Sequence, residues 1–528
     1  MACRLLGKSP LLAAVLVLSM ALTAADGLVT DADAPWSAPA NLSNTPMEVS
    51  RYPAIAADGM GNVHVVWVEE AGTDDGACAI YYTMWDGAQW TLPTDIIVGN
   101  YLLLPSLAVD PQGVIHLAYI QGGHLLYSEA HADGEPWSAR SWSPPVDLDP
   151  PEAPGDNARW PEIHADGQGN VYLLYNNILV SRGTMEVRFI SSADGGESWS
   201  QPATISNPGA IASVEYSDVN RLAVGPSDVL YAIWGEGKPE SQPSATQTLQ
   251  VWFATSEDNG HTWSVPLLLT DPNESGLAEA LAVVVDAHDW VHVLWRRHDM
   301  AVIHQQSQDQ GRTWSLPEPV PAMSPTGDPS VGGQGAQRYG GVNAGLDSQG
   351  DIQVLYGLDD GVYQVWWNGS DWSAGELVAQ TLNPDQRDSE AVWSRQAIAL
   401  GNEIHVVWYD GNPELSTPDL TQRLDRGEYE IRYSRRLLTG PALPAQPFSE
   451  EVVTAIAETP LATSVSAGPT AQADPLPETA GPPVTSGPGS RPSAGGGAAA
   501  VALSVAGSLV VVGIVILANL LRRRGGSR

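Results

Sequence analysis

The chain has 528 residues, and its 25 basic and 61 acidic side chains give a formal net charge of −36. This excess of negative charge repels nucleic acids and anionic lipid surfaces, so the sequence argues against a nucleic-acid partner. Only two cysteines occur, which excludes a disulfide-rich scaffold and leaves stability to a buried core.

The amino terminus predicts a secretory signal over residues 1–27. Arg4 and Lys8 form a basic start, Leu11–Leu22 is an apolar run, and small residues around Thr23–Ala25 offer a cleavage site. Cys3 leaves with this signal, so Cys78 keeps no partner within the chain. We therefore expect an exported protein without an internal disulfide.

The region from residue 28 to residue 439 is built on a repeated Trp-Ser or Trp-Thr pair, and successive copies lie 51 to 64 residues apart. After each copy, apolar residues alternate on both sides of a turn that contains Asp or Gly, as in Pro53–Trp67. Such alternation is typical of β-hairpins, and no long amphipathic helix interrupts it. The seven copies begin at Trp36, Trp90, Trp142, Trp199, Trp263, Trp314 and Trp372.

A third strand, such as Ile80–Thr83, leads from each hairpin to the next Trp pair. Four strands in each of seven units predict an all-β fold, a seven-bladed β-propeller. A six-bladed propeller is the alternative if one unit only decorates the ring. Trp36–Leu42 has no preceding strands, and Tyr429–Arg435 has no following strand. The N-terminal strand is therefore predicted to complete the last blade, because closing the ring removes an unpaired edge.

The residues after the propeller predict a stalk and a membrane anchor. Residues 440–497 are rich in Pro, Ala, Thr, Ser and Gly, so they are predicted to form a disordered stalk. Residues 498–521 are apolar and long enough to span a bilayer as a single transmembrane helix. Residues 522–528 begin with three arginines and form a basic cytoplasmic tail. These features predict a single-pass cell-surface protein with an extracellular propeller; a cleaved C-terminal sorting signal is the alternative.

Three of the Trp pairs belong to a longer motif, Ser-x-Asp-x-Gly-x-Ser/Thr-Trp-Ser, at residues 192–200, 256–264 and 307–315. In such a turn the Asp carboxylate accepts backbone N–H groups, the Gly supplies a positive φ, and the Trp packs on a neighbouring hairpin. This pattern is the Asp-box, and the propeller region resembles the Asp-box (BNR-repeat) propellers of the sialidase (neuraminidase) superfamily. The boxes themselves are structural, so they predict function only through this resemblance.

Antiparallel pairing divides the connections of each blade between two faces. We number the strands of a blade first to fourth from the axis to the rim. The turn face carries the first-to-second turns and the Asp-box turns; the loop face carries the starts of first strands and the ends of second strands. Arg51 and Arg159 fall at equivalent positions on the loop face, and Arg395 lies close to a first-strand start. Such arginines either bind an anionic ligand or form ion pairs between blades.

Four histidines occupy one equivalent strand position, and a recurrent structural role explains them better than metal ligation. No metal and no cofactor is therefore expected. The four are His64, His116, His292 and His405.

The resemblance also implies functional residues. Ser50-Arg51-Tyr52-Pro53 is similar to the family's Tyr/Phe-Arg-Ile-Pro motif, in which the arginine binds the substrate carboxylate. It implies Asp75 as the acid/base residue and Glu279 as the residue that polarises the nucleophile. It further implies that Arg296 and Arg338 bind the same carboxylate as Arg51.

The family's nucleophilic tyrosine corresponds to Trp393 in this chain, and an indole cannot attack an anomeric carbon. The sequence therefore supports a propeller that recognises or acts on cell-surface or extracellular glycans. One hypothesis is an exo-glycosidase of the sialidase type. The alternatives are a non-catalytic module that binds a glycan or a protein, and a surface scaffold without a small-molecule site.

Overall fold

The structure is a computed structural model that describes residues 35–45, 49–70, 76–180, 182–207, 211–212, 220–237, 249–271, 279–297, 301–320, 341–358, 361–380, 394–411 and 429–448. Among these residues, no helix combines the length and apolarity that a bilayer crossing requires. The signal peptide over residues 1–27, the transmembrane helix over 498–521 and the tail over 522–528 lie outside the described residues and stay predictions.

Seven four-stranded antiparallel blades form the fold, so the predicted seven-bladed propeller is confirmed and the six-bladed alternative is wrong. The strands of blades 1 to 3, first to fourth, are Val49–Ala57, Val63–Glu70, Ala77–Trp85 and Thr94–Asn100; Leu102–Val109, Val114–Gln121, His124–His131 and Val146–Asp149; and Asn157–Ala165, Val171–Leu179, Thr184–Ser192 and Ala203–Thr204. Those of blades 4 and 5 are Asn220–Val224, Leu230–Gly237, Leu249–Ser256 and Leu267–Leu268; and Glu279–Val285, Val291–Arg296, Val302–Ser307 and Glu318–Pro319. Those of blades 6 and 7 are Val342–Leu346, Ile352–Leu358, Gly361–Trp367 and Glu376–Gln380; and Ser394–Ala399, Glu403–Gly411, Tyr429–Leu437 and Ala40–Asn41.

Two short elements lie outside this scheme. The strand Ile211–Ala212 pairs in parallel with Met185 of blade 3 and antiparallel with Glu236 and Gly237 of blade 4. It therefore joins these two blades into one continuous sheet. A single 3₁₀ turn, Ala139–Ser141, precedes the fourth strand of blade 2.

The chain's N-terminal strand closes the ring, as predicted. Ala40–Asn41 pairs antiparallel with Tyr429–Leu437 as the fourth strand of blade 7. The pairing continues on both sides, because Ser37 N and Leu42 N donate to carbonyl oxygens of the same strand at 2.9 and 2.8 Å. Residues separated by almost the whole propeller thus share one blade.

The Asp-box turns have the predicted hydrogen bonds. In the second box, Ser256 Oγ donates to Asp258 Oδ1 and accepts from Gly260 N, both at 2.8 Å. Thr262 N and Oγ1 donate to the two oxygens of Asp258 at 2.8 and 2.7 Å. The glycine has a φ of +83°, and a Cβ atom there would overlap the ring of Phe189. Gly260 is therefore needed for both its backbone conformation and its contact with blade 3.

Each of these turns locks its blade onto the preceding one. The Trp of the box meets an aromatic ring on the third strand of the preceding blade, nearly edge to face. Such a ring pair adds roughly 0.5–1.5 kcal/mol beyond the area that it buries. The centroid distances are 4.8 Å for Trp199–Tyr127, 5.0 Å for Trp263–Phe189 and 4.9 Å for Trp314–Phe253, and Trp90–Tyr433 repeats the contact at 4.8 Å between blades 1 and 7.

Contacts between blades also confirm which turns share a face. Tyr172 OH, at the first-to-second turn of blade 3, donates to Asn259 Oδ1 in the Asp-box turn of blade 4 at 3.2 Å. Gln310 Nε2, in the Asp-box turn of blade 5, donates to Ser227 Oγ in the first-to-second turn of blade 4 at 3.4 Å. Both kinds of turn therefore lie together on the turn face.

A segment that follows the last strand crosses the turn face; we call residues 438–448 the C-terminal strap. Leu443 N donates to Leu400 O of blade 7 at 2.8 Å, and Gln446 N donates to Gly59 O of blade 1 at 2.7 Å. Phe448 then covers a turn of blade 2, where a Cβ on Gly113 would lie 2.7 Å from its ring. Residues 440–448 fall in the stretch predicted as stalk, and these contacts attach them to the propeller.

We expect Gly260→Ala to destabilise the fold more than Gly350→Ala does. Both glycines have nearly the same φ, +83° and +84°, so the backbone strain of roughly 1–2 kcal/mol is common to both. An added Cβ at residue 260 would overlap the ring of Phe189, whereas one at residue 350 would meet no described atom within 4 Å. Overpacking at residue 260 therefore adds roughly 1–3 kcal/mol to the loss of stability. Thermal melting of both variants measures the difference. Equal losses would show that the contact with Phe189 contributes nothing.

The strap gives a second stability test. Phe448→Ala removes a partly buried ring that packs on the core of blades 1 and 2, so we expect the free energy of unfolding to fall by roughly 1–3 kcal/mol. Leu316→Ala is the control, because Leu316 is 87% exposed. If chemical denaturation finds the two variants equally stable, the strap does not belong to the folded unit.

Candidate functional site

The first strands of blades 1, 2 and 3 carry a β-bulge at the same place near the loop face. The pairing register shifts there in each strand, and the residue at the bulge precedes a proline. Bulges redirect side chains and occur often beside binding sites, and a proline without an N–H is tolerated in them. The bulge residues Tyr52, Leu104 and Trp160 have φ values of 55°, 54° and 53°.

Arg51 lies beside the bulge of blade 1, in a cluster of aromatic rings at the junction with blade 7. Its guanidinium is 5.1 Å from the centroid of Tyr429. Tyr409 meets Tyr429 at 5.4 Å and Tyr52 at 6.5 Å, both edge to face. The nearest described carboxylate is that of Glu70, whose Oε1 lies 3.8 Å from Arg51 Nη1. Glu70 is on the same hairpin, so this ion pair does not join two blades.

Arg51 and Arg159 are both charged at neutral pH, although their pKa values shift in opposite directions. Burial opposes the charge of Arg51, but Glu70 together with Tyr52, Tyr409 and Tyr429 outweighs it, so the pKa of Arg51 is raised. Arg159 occupies the equivalent position in blade 3, where burial lowers its pKa and the nearby Tyr52 opposes this effect. Arginine is fully protonated at neutral pH in either case.

The other predicted site residues divide into two groups. Glu279 and Arg296 are partners in the backbone register of the first hairpin of blade 5, so their positions are adjacent on the loop face. Arg296 is buried. Asp75 and Arg338 lie outside the described residues, as does Trp393, so the roles assigned to them stay predictions.

The recurrent histidines connect the turn face to the third strands. His64 contacts Tyr82 OH through Nδ1 at 2.7 Å and Asp58 Oδ2 through Nε2 at 3.3 Å. His116 repeats the arrangement with Tyr127 and Asp110, at 2.7 and 3.2 Å. In the part of the chain that the structure describes, no group of His, Cys, Asp and Glu is arranged to hold a metal ion. These contacts fit the structural interpretation.

A cavity of about 310 Å³ lies on the axis, lined by the first strands of six blades. Each first strand contributes one residue at the same level of the propeller. In every blade this residue pairs with a second-strand residue, the one that lies two places after the recurrent histidine position. Six of these seven residues line the cavity, all except Ala282. The seven are Ala54, Ser106, Glu162, Arg221, Ala282, Asn343 and Arg395.

Glu162 is the centre of a charged cluster in this cavity. Its Oε2 lies 3.4 Å from Arg221 Nη1, and its Oε1 lies 3.4 Å from His164 Nε2. Burial alone would raise the pKa of Glu162, but Arg221, His164 and Arg395 together lower it to about 2. Glu162 is therefore ionised at neutral pH, between two arginines from blades 4 and 7.

The sequence analysis did not single out Glu162, His164 or Arg221. The sequence does carry a signal for Glu162 and Arg221. When the repeats are aligned, these charged residues fall at a position where two other blades have alanine. The convergence of blades 3, 4 and 7 around one cavity is a property of the closed ring.

Comparison with known proteins found one matching repeat family and several similar solved structures. Residues 127–336 match the family described as BNR repeat-like domain. Similar solved structures include a protein of unknown function from Dyadobacter fermentans (12% identity, TM-score 0.43, covering 76% of this chain and 98% of that one). A Hadza microbial sialidase, Hz136, shows 12% identity and a TM-score of 0.41 over 71% of this chain and 77% of its own. A PL25 ulvan lyase shows 11% identity and a TM-score of 0.44 over 73% and 93%.

No curated protein sequence matches this chain. The repeat match, the Asp-box turns and the seven blades agree on one architecture. The protein is a seven-bladed β-propeller with BNR-like repeats.

Proposed function

We propose that this protein is an exported, membrane-anchored propeller that recognises glycans bearing a carboxylate, and that Arg51 on the loop face binds that carboxylate. The observation that carries the proposal is the setting of Arg51. It lies beside a bulge, over the ring of Tyr429, with 27% of its side chain exposed. A cation and aromatic rings side by side suit a sugar acid, because the guanidinium binds the carboxylate and the rings pack on the sugar's C–H face.

The existing partner of Arg51 leaves room for a ligand. A charge-assisted hydrogen bond between a guanidinium and a carboxylate is about 2.7–2.9 Å long. Arg51 and Glu70 are 3.8 Å apart, and both side chains are partly exposed. An ion pair of this kind contributes about 0–1 kcal/mol to stability, so a ligand carboxylate competes for Arg51 at low cost.

Binding is favoured over hydrolysis because of residue 393. Sialidase-type hydrolysis would need a nucleophile polarised by Glu279 and an acid/base residue, for which Asp75 is proposed. The chain has Trp393 where the resemblance implies the nucleophilic tyrosine. An exo-glycosidase is the second candidate, favoured by the pairing of Glu279 with Arg296 across one hairpin. In that case Arg296 and Arg338 would join Arg51 on the substrate carboxylate.

The substitution Arg51→Lys tests the binding role. A single ammonium cannot reproduce the two-pronged contact of a guanidinium with a carboxylate, so we expect the affinity for sialyllactose to fall roughly ten- to a hundredfold. The melting temperature should barely change. Isothermal titration calorimetry and thermal melting on the same variant measure both effects.

The control is Arg312→Lys, because Arg312 is a largely exposed arginine in an Asp-box turn on the opposite face. It should bind sialyllactose like the unchanged protein. A lowered melting temperature with unchanged affinity for Arg51→Lys would mean that Arg51 only stabilises the fold. Release of free sialic acid from sialyllactose by the unchanged protein would favour the exo-glycosidase.

A further inference from the structure

Arg159 on the loop face is a half-buried arginine without a partner. Among the residues that the structure describes, its guanidinium forms no hydrogen bond and lies within ion-pair distance of no carboxylate. Arg188, on the same blade, contacts three carboxylates. A cation that loses part of its hydration is normally compensated by an opposite charge, because the loss of water is otherwise unfavourable. Folding therefore does not account for the charge of Arg159.

The repeat itself does not require an arginine at this place. Arg159 directly precedes the bulge of blade 3, just as Arg51 precedes the bulge of blade 1 and Leu103 that of blade 2. Blade 2 forms its bulge with the same backbone conformation, so a leucine is compatible with it. The arginine of blade 3 thus supplies a charge that the bulge does not need.

The backbone beside Arg159 is strained. The bulge residue Trp160 has a φ of 53°, which is rare for a bulky side chain. Strain of this kind often occurs at ligand-binding and catalytic sites. Asn220 Nδ2 of blade 4 donates to Trp160 O at 3.1 Å and helps to hold the bulge. A strained backbone and a cation without a partner therefore occur at one place.

Arg159 and Arg51 belong to one surface. Burial acts to lower the pKa of both guanidinium groups, and the hydroxyl group of Tyr52 acts against burial in both cases, so Tyr52 lies near each of them. Tyr52, Leu103 and Trp160 all pack against the same apolar cluster. Blades 1, 2 and 3 thus place a cation, an apolar side chain and a second cation at equivalent positions.

The two arginines are placed to bind different acidic groups. The guanidinium of Arg51 lies over the ring of Tyr429 on blade 7. Around the ring, blades 7 and 3 lie on opposite sides of blade 1. A carboxylate bound by Arg51 at the junction with blade 7 therefore leaves Arg159 to another group. A sugar that joins the two groups would pass over Leu103, whose apolar side chain suits the C–H face of a sugar.

We propose that Arg159 binds a second acidic group of the glycan that Arg51 holds, so that the loop face selects a glycan with two acidic sugars. This inference rests on the proposed function and names the class of ligand more narrowly. A ligand carboxylate would supply the opposite charge that Arg159 lacks. Among the described residues, no carboxylate forms an ion pair with Arg159 and would have to be displaced.

Two oligosaccharides measure the contribution of Arg159. Sialyllactose carries one carboxylate, and disialyllactose carries two. We expect the unchanged protein to bind disialyllactose roughly ten- to a hundredfold more tightly, as one further charge-assisted contact would give. Two carboxylates offered to a single arginine would give a preference of only about twofold by statistics. Isothermal titration calorimetry of the full-length protein measures both affinities.

The test substitution is Arg159→Leu, because blade 2 has leucine at the equivalent position. We expect the preference for disialyllactose to fall to about twofold. The melting temperature should stay the same or rise, because a half-buried charge without a partner is removed. Arg159→Gln, which keeps a polar side chain, repeats the measurement if leucine is not tolerated. The control is Arg312→Leu on the turn face, which should leave the preference unchanged.

The outcomes separate this inference from the proposed function. Arg51→Lys should weaken the binding of both oligosaccharides, and an unchanged affinity for sialyllactose would contradict only the role of Arg51. A preference of about twofold or less in the unchanged protein would overturn only the inference about Arg159. A preference that Arg159→Leu and Arg159→Gln both retain would do the same, and a lowered melting temperature beside it would make Arg159 a structural residue. If neither oligosaccharide binds, both proposals fail.

Discussion

Closure of blade 7 by the N-terminal strand is the constraint on which the rest of the structure depends. The first strands of six blades line one cavity only if the ring is closed, and an open ring would expose an unpaired sheet edge. Three devices meet near the junction of blades 7 and 1: the strand Ala40–Asn41, the ring contact of Trp90 with Tyr433, and the C-terminal strap. Arg51 and Tyr429 lie at this same junction, so closure also assembles the candidate glycan site.

The two faces of the propeller use their polar groups differently. On the turn face, carboxylates such as those of Asp58 and Asp258 accept hydrogen bonds from their own turns, so they are occupied by structure. Near the axis and the loop face, arginines lie beside carboxylates, as Arg51 does beside Glu70 and Arg221 does beside Glu162. Lining residues of a cavity are free to differ between blades, because no repeated turn geometry requires them. Function in a repeat protein is therefore expected where the repeat breaks its own pattern.

The sequence was sufficient for the fold because the repeat is strong. Seven Trp pairs and alternating hairpins predicted seven blades, the closing strand and the faces. The bulge at Tyr52 could not be predicted, since a positive φ before proline depends on pairing across the hairpin. The contact of Glu162 with Arg221 joins two blades and requires the closed ring. Phe448 was assigned to a stalk because composition alone does not show that a short segment finds a groove on a folded domain.

The overall charge of the protein would add a selection to the glycan site proposed at Arg51. A formal net charge of −36 repels a polyanion at long range, and salt screens this repulsion beyond about 8–10 Å. Arg51 would act on a ligand over a shorter distance, in partly buried surroundings where screening is weak. A ligand with one carboxylate on an otherwise neutral sugar meets little repulsion and still gains these contacts. If Arg51 binds a glycan as proposed, the net charge of the protein favours glycans with isolated acidic groups over densely charged polysaccharides.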